Sequence, residues 1–390
     1  MKIHLMGIGG SGMAGVSYLA SKMGYEVTGC DLETSGHDPI HLKNIDLLVV
    51  TPAVYFQKIK DPELVEGERR KIVLTWQEFL GRYLHKGKKV ICIAGTHGKS
   101  TTTAMVGKLL EDANLDPLVN LGANFKAWNG GARYGKGDYF VTEADEFFDN
   151  FLNYRPEIII LNQVEFDHPD YFKNEEQMQE SYKKFVGNLT GKKILITQEK
   201  SLHKKFNLKV FGKHNQQNAN MAYLLGKKLG IKEEIIIKSL ESFPGIGRRM
   251  ELISEANGVK VYDDYAHHPT AIKLTLDGLR EKYPKERILA IIELHGYKRT
   301  KALLPKYKAV FDSVDGVIIG PIFKARDEID KTITVENIAK ISGHSNIQTF
   351  NSIKKLIENC KLLIVNYDII VVMGAGKSYL WARQICNLKI

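Results

Sequence analysis

The sequence predicts an α/β protein of three domains built around largely parallel sheets. Short apolar runs alternate with helix-length amphipathic stretches along the 390 residues, a pattern typical of βαβ units. Many of these runs are too continuously apolar for a half-exposed strand, which favours strands covered on both faces. A polar stretch at 85–89 and a stretch with proline and glycine at 243–249 are typical of joints. Cutting there gives domains of 1–88, 89–243 and 244–390, each of ordinary size.

The individual elements follow from apolar runs and from helical periodicity. The predicted strands are Lys2 to Met6, Ile45 to Thr51, Lys89 to Ala94, Tyr139 to Glu143, Glu157 to Leu161, Lys193 to Thr197, Val259 to Tyr262, Ile288 to Glu293, Gly316 to Ile319 and Ile369 to Met373. The predicted helices are Lys99 to Asp112, Glu175 to Asn188, Asn215 to Leu229, Pro269 to Lys282 and Lys377 to Asn387.

Composition narrows the class of protein. With 44% hydrophobic and 26% charged residues, the chain is neither disordered nor fibrous. The 55 Lys and Arg residues against 45 Asp and Glu give a formal charge of +10, which favours anionic partners without naming them. The basic residues are spread along the chain without interleaved aromatic residues, so we expect no nucleic-acid partner.

Cysteine usage and hydropathy bear on the compartment. The four cysteines lie far apart with no C-x-x-C pair, which is typical of a reducing compartment and predicts no structural zinc. The N-terminal residues lack the apolar run of a signal peptide, and no apolar run reaches the ~18 residues of a membrane span. We therefore expect a cytoplasmic protein with no membrane partner.

The first glycine motif, G-I-G-G-S-G, follows the first predicted strand and opens a helix. Its glycines would let backbone N–H groups approach a diphosphate at the helix N-terminus, and an acid 19 residues after the last glycine could accept from ribose hydroxyls. The candidate residues are Gly7, Gly9, Gly10, Ser11, Gly12 and Asp31. Taken alone, the motif suggests a dinucleotide-dependent dehydrogenase, and the alternative is a tight turn without a ligand.

The second motif, G-T-H-G-K-S-T, also lies between a strand and a helix and is more specific. Its backbone amides would cradle phosphates, Lys99 would neutralise β and γ oxygens, and the Ser100 hydroxyl could bind Mg²⁺. Ile93 stands where the general P-loop has its first glycine, so this is a shorter form of the loop. The candidate phosphate-binding residues are Gly95, Thr96, His97, Gly98, Lys99, Ser100 and Thr101.

A similar string, G-A-G-K-S, runs from Gly374 to Ser378. Val371 takes the place of its first glycine, and the sequence reveals no acidic partner for it. We interpret it as a glycine turn between the last strand and the last helix.

Two acidic clusters follow consecutive predicted strands. Glu143, Asp145 and Glu146 end one strand, and Asp167 and His168 follow the next. Because ligands of α/β sheets lie at the carboxyl ends of strands, these groups could hold Mg²⁺ against a phosphate. Taken singly, any of the acids could be only a helix cap or a solvated loop residue.

Two later segments add polar groups. Asn215 and Asn218 lie three residues apart at a helix start, which suits an adenine edge, although asparagine there is often only a cap. The segment D-D-Y-A-H-H-P begins at Asp263. Its two histidines could be read as a metal site, but neighbouring histidines in a strand-to-helix turn point apart, so helix capping is the safer interpretation.

Together these motifs resemble those of the Mur ligase family, the ATP-dependent amide-forming enzymes of peptidoglycan precursor synthesis. They run in family order from Gly7 to at least Arg299, and G-T-H-G-K with D-D-Y-A-H-H-P is most similar to members that join L-alanine to UDP-N-acetylmuramate. The resemblance implies a Rossmann-like UDP-sugar-binding domain, a central P-loop-type ATPase domain with a mainly parallel sheet, and a Rossmann-like C-terminal domain. The last would close over ATP and bind the amino acid.

The resemblance also implies roles for single residues, with ATP and Mg²⁺ as the cofactors. Lys99 would hold the phosphates, Ser100 and Glu143 would bind one Mg²⁺, and His168 would bind a second. Lys99, Glu143 and His168 are thus the implied catalytic residues. The remaining implied ATP contacts are Asn215 and Asn218 to adenine, Arg249 to the phosphates and Asp264 to the ribose. The residues implied for the incoming amino acid are His267, His295 and Arg299, with Arg299 on its carboxylate.

In the implied reaction, ATP phosphorylates the lactyl carboxylate of UDP-N-acetylmuramate, and the amine of L-alanine attacks the resulting acyl phosphate and expels phosphate. The chain would act as a monomer or homodimer.

Three features depart from the family pattern. His168 and Asn215 are only 47 residues apart, Gly296 stands where many relatives have arginine, and segments near Glu165 and Ala256 also resemble the member that recycles a murein tripeptide.

That recycling ligase is the closest alternative function. More distant alternatives are a nicotinamide-dependent Rossmann dehydrogenase, which leaves Lys99 and Glu143 unexplained, and a non-catalytic nucleotide-binding protein.

Overall fold

The computed structural model describes residues 1–52, 54, 61–128, 130–198 and 204–388. Its helices and mostly parallel sheets confirm the predicted α/β class. The chain forms two compact units. The first comprises residues 1–165, 175–206 and 217–243, and the second comprises 166–174, 207–216 and 244–390.

The first unit begins with a parallel four-stranded sheet in the order β2-β1-β3-β4. Its strands are β1 (Lys2–Met6), β2 (Glu26–Cys30), β3 (Leu47–Val50) and β4 (Val73–Thr75). Its described helices are α1 (Ser11–Lys22), the 3₁₀ turn Pro39–Leu42, α2 (Pro62–Arg69), and α3 (Trp76–Phe79), which continues as a π-helix over Leu80–Leu84.

Capping residues explain where two of these helices begin. The Asp61 carboxylate accepts from Glu63 N at 3.0 Å, and Pro62 fills the first helical position of α2, where its missing N–H costs nothing. Thr75 and Glu78 form a capping box at the start of α3, since each side chain accepts from the other's backbone N–H.

The second sheet of the first unit has the order β10-β9-β5-β8-β6-β7 and is parallel except for the β6–β7 pair. Its strands are β5 (Lys89–Ala94), β6 (Leu118–Asn120), β7 (Ala132–Arg133), β8 (Tyr139–Glu143), β9 (Ile158–Leu161) and β10 (Ile194–Thr197). The accompanying helices are α4 (Lys99–Asp112), the 3₁₀ segment Phe147–Asn153, α5 (Glu175–Gly187), α6 (Lys213–Lys228), whose first turn belongs to the second unit, and α7 (Glu233–Ser242). Because β5 lies between β8 and β9, the carboxyl ends of these three strands are neighbours.

The second unit contains a six-stranded sheet in the order β11-β12-β16-β13-β14-β15, in which only the β11–β12 pair is antiparallel among the described pairs. Its strands are β11 (Glu251–Ala256), β12 (Val259–Asp264), β13 (Ile288–Ile292), β14 (Gly316–Ile319), β15 (Ile347–Thr349) and β16 (Ile369–Met373). Its helices are α8 (Pro269–Lys282), α9 (Tyr297–Ala302), α10 (Val335–Ser342), α11 (Ile353–Leu363) and α12 (Ser378–Cys386), with 3₁₀ turns at Leu304–Tyr307 and Ile364–Asn366.

Central strand β16 shows why its sequence is continuously apolar. Ile369, Val371 and Met373 pack into one buried cluster, whereas Ile370 and Val372 pack into a second. Side chains of a strand alternate between the two faces of a sheet, so both faces of this sheet are covered. The prediction of strands buried on both faces is confirmed here.

The sequence located the long apolar elements and missed the short or polar ones. The bounds of β1, β5, β8, β14, β16, α4 and α8 are those predicted. Strand β2 carries Glu26, Thr28 and Gly29 and gave no apolar signal. The two-residue strand β7 is too short for periodicity to reveal. In the described part of the chain, no helix has the length and apolar character needed to cross a membrane.

Candidate active site

The second glycine motif forms a tight loop between β5 and α4. Gly95 and Gly98 have φ of +123° and +81°, a backbone region that favours glycine. A Cβ on Gly98 would collide with the side chains of Asn218 and Asn162. The loop therefore requires glycine at both predicted positions.

Residues after β9 fix this loop. Thr96 Oγ1 donates to the carbonyl of Glu165 at 2.6 Å and accepts from the Glu165 N–H at 2.9 Å. The Thr96 N–H donates to the carbonyl of Gln163 at 2.8 Å. His97 Nε2 lies 3.1 Å from a Glu165 carboxylate oxygen. Thr96 and His97, both predicted phosphate-loop residues, thus tie the loop to the neighbouring strand end.

Lys99 begins α4 and carries the positive charge of the loop. Its Nζ donates to the Gly95 carbonyl at 2.7 Å and to Glu146 Oε2 at 2.8 Å. Burial by itself lowers the pKa of Lys99. The negative charges of Glu146 and, to a smaller extent, Asp145 outweigh this effect and raise the pKa above its usual value. Lys99 is therefore cationic at neutral pH. Glu146, which the sequence named only as a member of the acidic cluster, is its fully buried partner.

Ser100 and Glu143 come together at the carboxyl end of β8. Ser100 Oγ donates to Glu143 Oε2 at 3.1 Å, and Glu143 Oε1 accepts from the Gly122 N–H at 2.6 Å. A hydroxyl and a carboxylate are hard oxygen ligands of the kind Mg²⁺ prefers, so these two residues fit the implied ion. Two of the three residues predicted to bind Mg²⁺ are therefore adjacent in the structure.

Asn162 is a residue of this loop that the sequence analysis did not single out. It follows β9, and its amide nitrogen donates to Thr102 Oγ1 at 3.0 Å, inside α4. Its Cβ also lies against Gly95. Its position directly after a predicted strand was a possible sign of a functional residue. A single asparagine is too common at strand ends, however, to predict a role.

The first glycine motif also forms the predicted strand-to-helix turn. Gly7, with φ of +85°, donates its N–H to the Cys30 carbonyl at 2.8 Å, and Gly10 caps α1. Asp31 Oδ2 accepts from the Gly9 N–H at 3.1 Å, so this acid holds the loop itself. Ser11 and Gly12 form the first turn of α1, where Gly12 lies against the Trp76 ring.

In the second unit, Asp167 and Arg299 form a buried ion pair. Arg299 Nε donates to Asp167 Oδ1 at 2.7 Å, and Arg299 Nη2 donates to Asp167 Oδ2 at 3.2 Å. Arg299 Nη2 also lies 3.3 Å from His168 Nδ1. Burial raises the pKa of the Asp167 carboxyl, but His168 and Arg299 outweigh it and hold the pKa well below its usual range. The structure thus groups His168, predicted as a metal ligand, with Arg299, predicted to bind the amino acid.

Two histidines flank this pair and are neutral. His267 Nδ1 donates to the Tyr265 carbonyl at 2.9 Å, and the rings of His267 and His295 are 5.4 Å apart. Burial, followed by the charge of Arg299, lowers the pKa of His267 well below its usual value and that of His295 to about 4. The three predicted amino-acid-binding residues therefore lie in one cluster, with a single fixed cation at Arg299.

Gly296, where many relatives have arginine, begins α9 with φ of +79°. A Cβ there would lie 3.0 Å from Asp327 Oδ2, which accepts from the Lys298 N–H at 2.8 Å. Both the backbone conformation and the neighbouring carboxylate favour glycine at this position.

Asp264 and Arg249 lie at the end of β12. The two Asp264 carboxylate oxygens accept from the Met250 and Ala266 N–H groups, each at 2.7 Å. Burial raises the pKa of the Asp264 carboxyl. The Arg249 guanidinium lies 4.8 Å from the centre of the Tyr265 ring. In the structure, the Asp264 carboxylate therefore binds two backbone N–H groups of the protein. Its contact with a ribose stays a prediction.

Asn215 and Asn218 lie near the start of α6. Asn215 Nδ2 donates to the Phe211 carbonyl at 2.7 Å, one turn earlier. Asn218 lies beside Gly98 of the phosphate loop.

His268 was expected to be a helix cap, and this is confirmed: its side chain accepts from the Thr270 N–H at the start of α8.

The C-terminal G-A-G-K-S string is the predicted turn between β16 and α12. Glu293 supplies the acidic partner that the sequence did not reveal. Its carboxylate accepts from the Gly376 and Lys377 N–H groups at 2.9 and 3.0 Å. In a second nucleotide loop these backbone N–H groups would donate to a phosphate, but here they donate to a side chain of the protein itself.

Comparisons with known proteins identify the family to which the chain belongs. Three family models match: "Mur ligase family, catalytic domain" at 2–87, "Mur ligase middle domain" at 93–206, and "Mur ligase, glutamate ligase domain" at 248–376. The chain is 31% identical to the UDP-N-acetylmuramate–L-alanine ligase of Clostridium acetobutylicum, covering 96% of this chain and 95% of that protein. That alignment is 439 residues long against 390 here, so it contains segments for which this chain has no counterpart.

Two solved structures show the same fold. The UDP-N-acetylmuramate-alanine ligase of Thermotoga maritima has a TM-score of 0.80 at 24% identity, over 99% of this chain and 98% of that one. A murein peptide ligase of Psychrobacter arcticus has a TM-score of 0.70 at 24% identity, with full coverage of both chains. By its three matching domains and its full-length relatives, the chain belongs to the Mur ligase family.

Proposed function

We propose that this chain joins L-alanine to the lactyl carboxylate of UDP-N-acetylmuramate at the expense of ATP, forming ADP and phosphate. The observation that carries the proposal is the agreement between full-length relatives of that name and the phosphate loop, where Lys99, Ser100, Glu143 and Glu146 meet. A dehydrogenase would have no use for this loop, and a scaffold protein would not need its buried cation.

Lys99 is the residue we assign to the phosphates of ATP. It is a largely buried cation at a helix N-terminus, a position where backbone N–H groups also favour an anion. In the low dielectric of a buried site, this charge stabilises the oxygens that gain negative charge as the phosphoryl group moves to the lactyl carboxylate. Glu146 orients the ammonium group and keeps it protonated.

Ser100 and Glu143 are the residues that would hold Mg²⁺ beside these phosphates, and His168 is retained as a proposed ligand of a second ion. When bound, Mg²⁺ neutralises phosphate charge and so lets two anionic reactants approach. Glu143 is held by the Gly122 N–H, so its second oxygen is fixed before any ligand arrives.

Arg299 is the residue we assign to the carboxylate of the amino acid. Asp167 fixes one edge of its guanidinium, and Nη1 takes part in neither of these bonds. Because His267 donates from Nδ1 to a backbone carbonyl, its Nε2 has the lone pair. A neutral imidazole of this kind can accept a hydrogen bond from the alanine ammonium and so orient it. After the ammonium loses a proton to solvent, the amine attacks the acyl phosphate and expels phosphate.

The other nucleotide contacts stay proposals. We assign Asn215 and Asn218 to adenine, Arg249 to the phosphates and Asp264 to the ribose. The glycine loop from Gly7 to Gly12, held by Asp31, is assigned to the UDP-sugar. The domain boundaries at 88 and 243, a monomer or homodimer and a cytoplasmic location also stay predictions from the sequence.

The test is a phosphate-release assay with UDP-N-acetylmuramate, ATP and Mg²⁺, with L-alanine, glycine, L-serine and the murein tripeptide offered separately. We expect release with L-alanine, and a product whose mass equals that of the nucleotide sugar plus alanine less water. A kcat/KM higher for the tripeptide than for L-alanine would refute the substrate and support the recycling ligase. Nicotinamide cofactor binding without any phosphate release would refute the ligase reaction itself.

A further inference from the structure

A buried cluster in the first unit lies outside every site assigned so far. It consists of His4 on β1, Cys30 at the end of β2, His41 in the 3₁₀ turn and Glu63 in the first turn of α2. One potential ligand atom from each of these side chains lies within 4.8 Å of all the others. We call these four residues the His4 cluster.

Glu63 is the centre of the His4 cluster. Its Oε1 lies 3.0 Å from His4 Nε2, and its Oε2 lies 3.1 Å from His41 Nδ1. The Cys30 thiol lies 3.4 Å from Oε2 and 3.6 Å from Oε1. The Glu63 side chain is completely buried, and His4 is 3% exposed. Four groups of the types that bind transition metals therefore face one another, and three of them are buried.

The two ring nitrogens of His4 each have a fixed polar neighbour. In the tautomer with a proton on Nδ1, His4 donates to the Thr28 hydroxyl at 2.7 Å, and that hydroxyl donates to the Ile3 carbonyl at 3.4 Å. His4 Nε2 is buried and lies 3.0 Å from Glu63 Oε1, so in this tautomer a proton or a metal ion must lie between the two acceptors. A histidine that donates from one nitrogen to a fixed acceptor and presents the other lone pair is arranged as a metal ligand.

The cluster is also held in place by its surroundings. Asp61 caps α2 through one carboxylate oxygen and bonds His37 Nδ1 at 2.7 Å through the other, which fixes the helix turn that carries Glu63. The Asp38 N–H donates to Glu63 Oε2 at 2.9 Å. A carboxylate buried at this depth calls for a compensating charge, and Zn²⁺ with one carboxylate and one thiolate is electrically neutral.

We propose that His4, Cys30, His41 and Glu63 bind one structural Zn²⁺ ion. Two imidazoles, one thiolate and one carboxylate complete a tetrahedral site with no open position for a substrate, so its role is to hold β1, β2, the 3₁₀ turn and α2 together. Binding forms a zinc–sulfur bond and releases the Cys30 thiol proton to solvent. The proposal replaces the sequence prediction of no structural zinc, which considered only paired cysteines.

The first test measures metal in the full-length protein after it is supplied with ZnCl₂ and dialysed against a weak chelator. Elemental analysis should find about one zinc per chain. Cys30→Ser and His41→Gln should retain at most a tenth of that amount. The matched controls Cys386→Ser and His344→Gln change a cysteine and a histidine of the second unit and should retain wild-type zinc. Wild-type protein without zinc, or Cys30→Ser with a full equivalent, would overturn the proposal.

The second test needs no variant that might fail to fold. Wild-type protein reloaded with Co²⁺ should show the intense visible bands of tetrahedral cobalt and a thiolate-to-cobalt band in the near ultraviolet. A strong chelator should remove these bands and lower the thermal midpoint, and ZnCl₂ should restore the midpoint. Weak octahedral bands only, or a midpoint that neither chelator nor zinc changes, would refute a closed zinc site.

Discussion

Asp167 and Arg299 are 132 positions apart in the chain and form a two-point ion pair, with Nε–Oδ1 and Nη2–Oδ2 distances of 2.7 and 3.2 Å. The pair explains how an arginine assigned to a substrate carboxylate is kept rigid before the substrate binds. Burial lowers the pKa of His267 and of His295 beside it, and the guanidinium lowers both further because it disfavours a second positive charge.

Replacing Arg299 with lysine should weaken binding of the amino acid. Lysine keeps the charge but cannot bridge both Asp167 oxygens and a substrate carboxylate at once. We expect the KM for L-alanine to rise at least tenfold, with a much smaller change in the KM for ATP. Lys301→Arg on the same helix is the control and should behave as wild type. Equal changes in both KM values would argue against contact with the amino acid.

Replacing Asp167 with asparagine should destabilise the second unit. The change leaves the Arg299 cation buried without its counter-charge, which costs about 3 kcal/mol in proteins. Because the Asp167 pKa is lowered in the folded state, the carboxylate stabilises the fold above the unfolded value of about 3.9 and loses this effect as pH falls below it. Urea unfolding at pH 7 measures the difference. An unchanged free energy of unfolding would contradict a structural role for the pair.

Replacing Lys99 with methionine should lower turnover far more than it lowers the amount of folded protein. Methionine keeps the aliphatic stem but removes the charge, and loss of one such group costs about 10²- to 10³-fold in rate. Lys108→Met, which removes the partner of Asp112 on the same helix, is the control. Circular dichroism confirms folding of both variants. Turnover above a tenth of wild type in Lys99→Met would remove this residue from the mechanism.

Replacing Ser100 with alanine should raise the Mg²⁺ concentration needed for half-maximal activity. The change removes one of the two oxygen groups that meet at this point, while Glu143 remains held by Gly122. We expect activity to recover in part at high Mg²⁺. Thr103→Ala, on the same helix, serves as the control. The same Mg²⁺ dependence in Ser100→Ala and wild type would show that this hydroxyl does not contact the ion.

Replacing His85 with phenylalanine should flatten the dependence of stability on pH. His85 lies between the Phe140 and Tyr154 rings, and burial lowers its pKa to about 3. Below pH 6.5 the unfolded chain binds a proton at this residue that the folded chain does not bind. The free energy of unfolding therefore falls as pH drops from 6.5 toward 3, by at most about 1.4 kcal/mol per pH unit from this histidine.

Urea unfolding of His85→Phe and wild type between pH 4 and pH 8 measures this contribution. The variant should show a shallower slope below pH 6.5 and an equal slope above it. His344→Gln retains His85 and should keep the contribution that His85 makes in wild type. Identical slopes for His85→Phe and wild type would mean that the imidazole is protonated in the folded state.

The sequence by itself determined the α/β class, the bounds of several long strands and helices, and the glycine turn between β5 and α4. These features are local, since strand and helix periodicity or a glycine between a strand and a helix can be read within a few residues. The sequence also placed Glu143 correctly at a strand end, because the strand before it is continuously apolar.

Only the tertiary structure decided which of the remaining polar residues meet. It paired Lys99 with Glu146 and Asp167 with Arg299, placed Glu293 on the C-terminal glycine turn, and assembled the His4 cluster from four separate segments. His85, at a joint that the sequence marked as polar, is buried between aromatic rings. Such contacts depend on strand order and on packing between distant segments, and one sequence read along its length contains no signal for either.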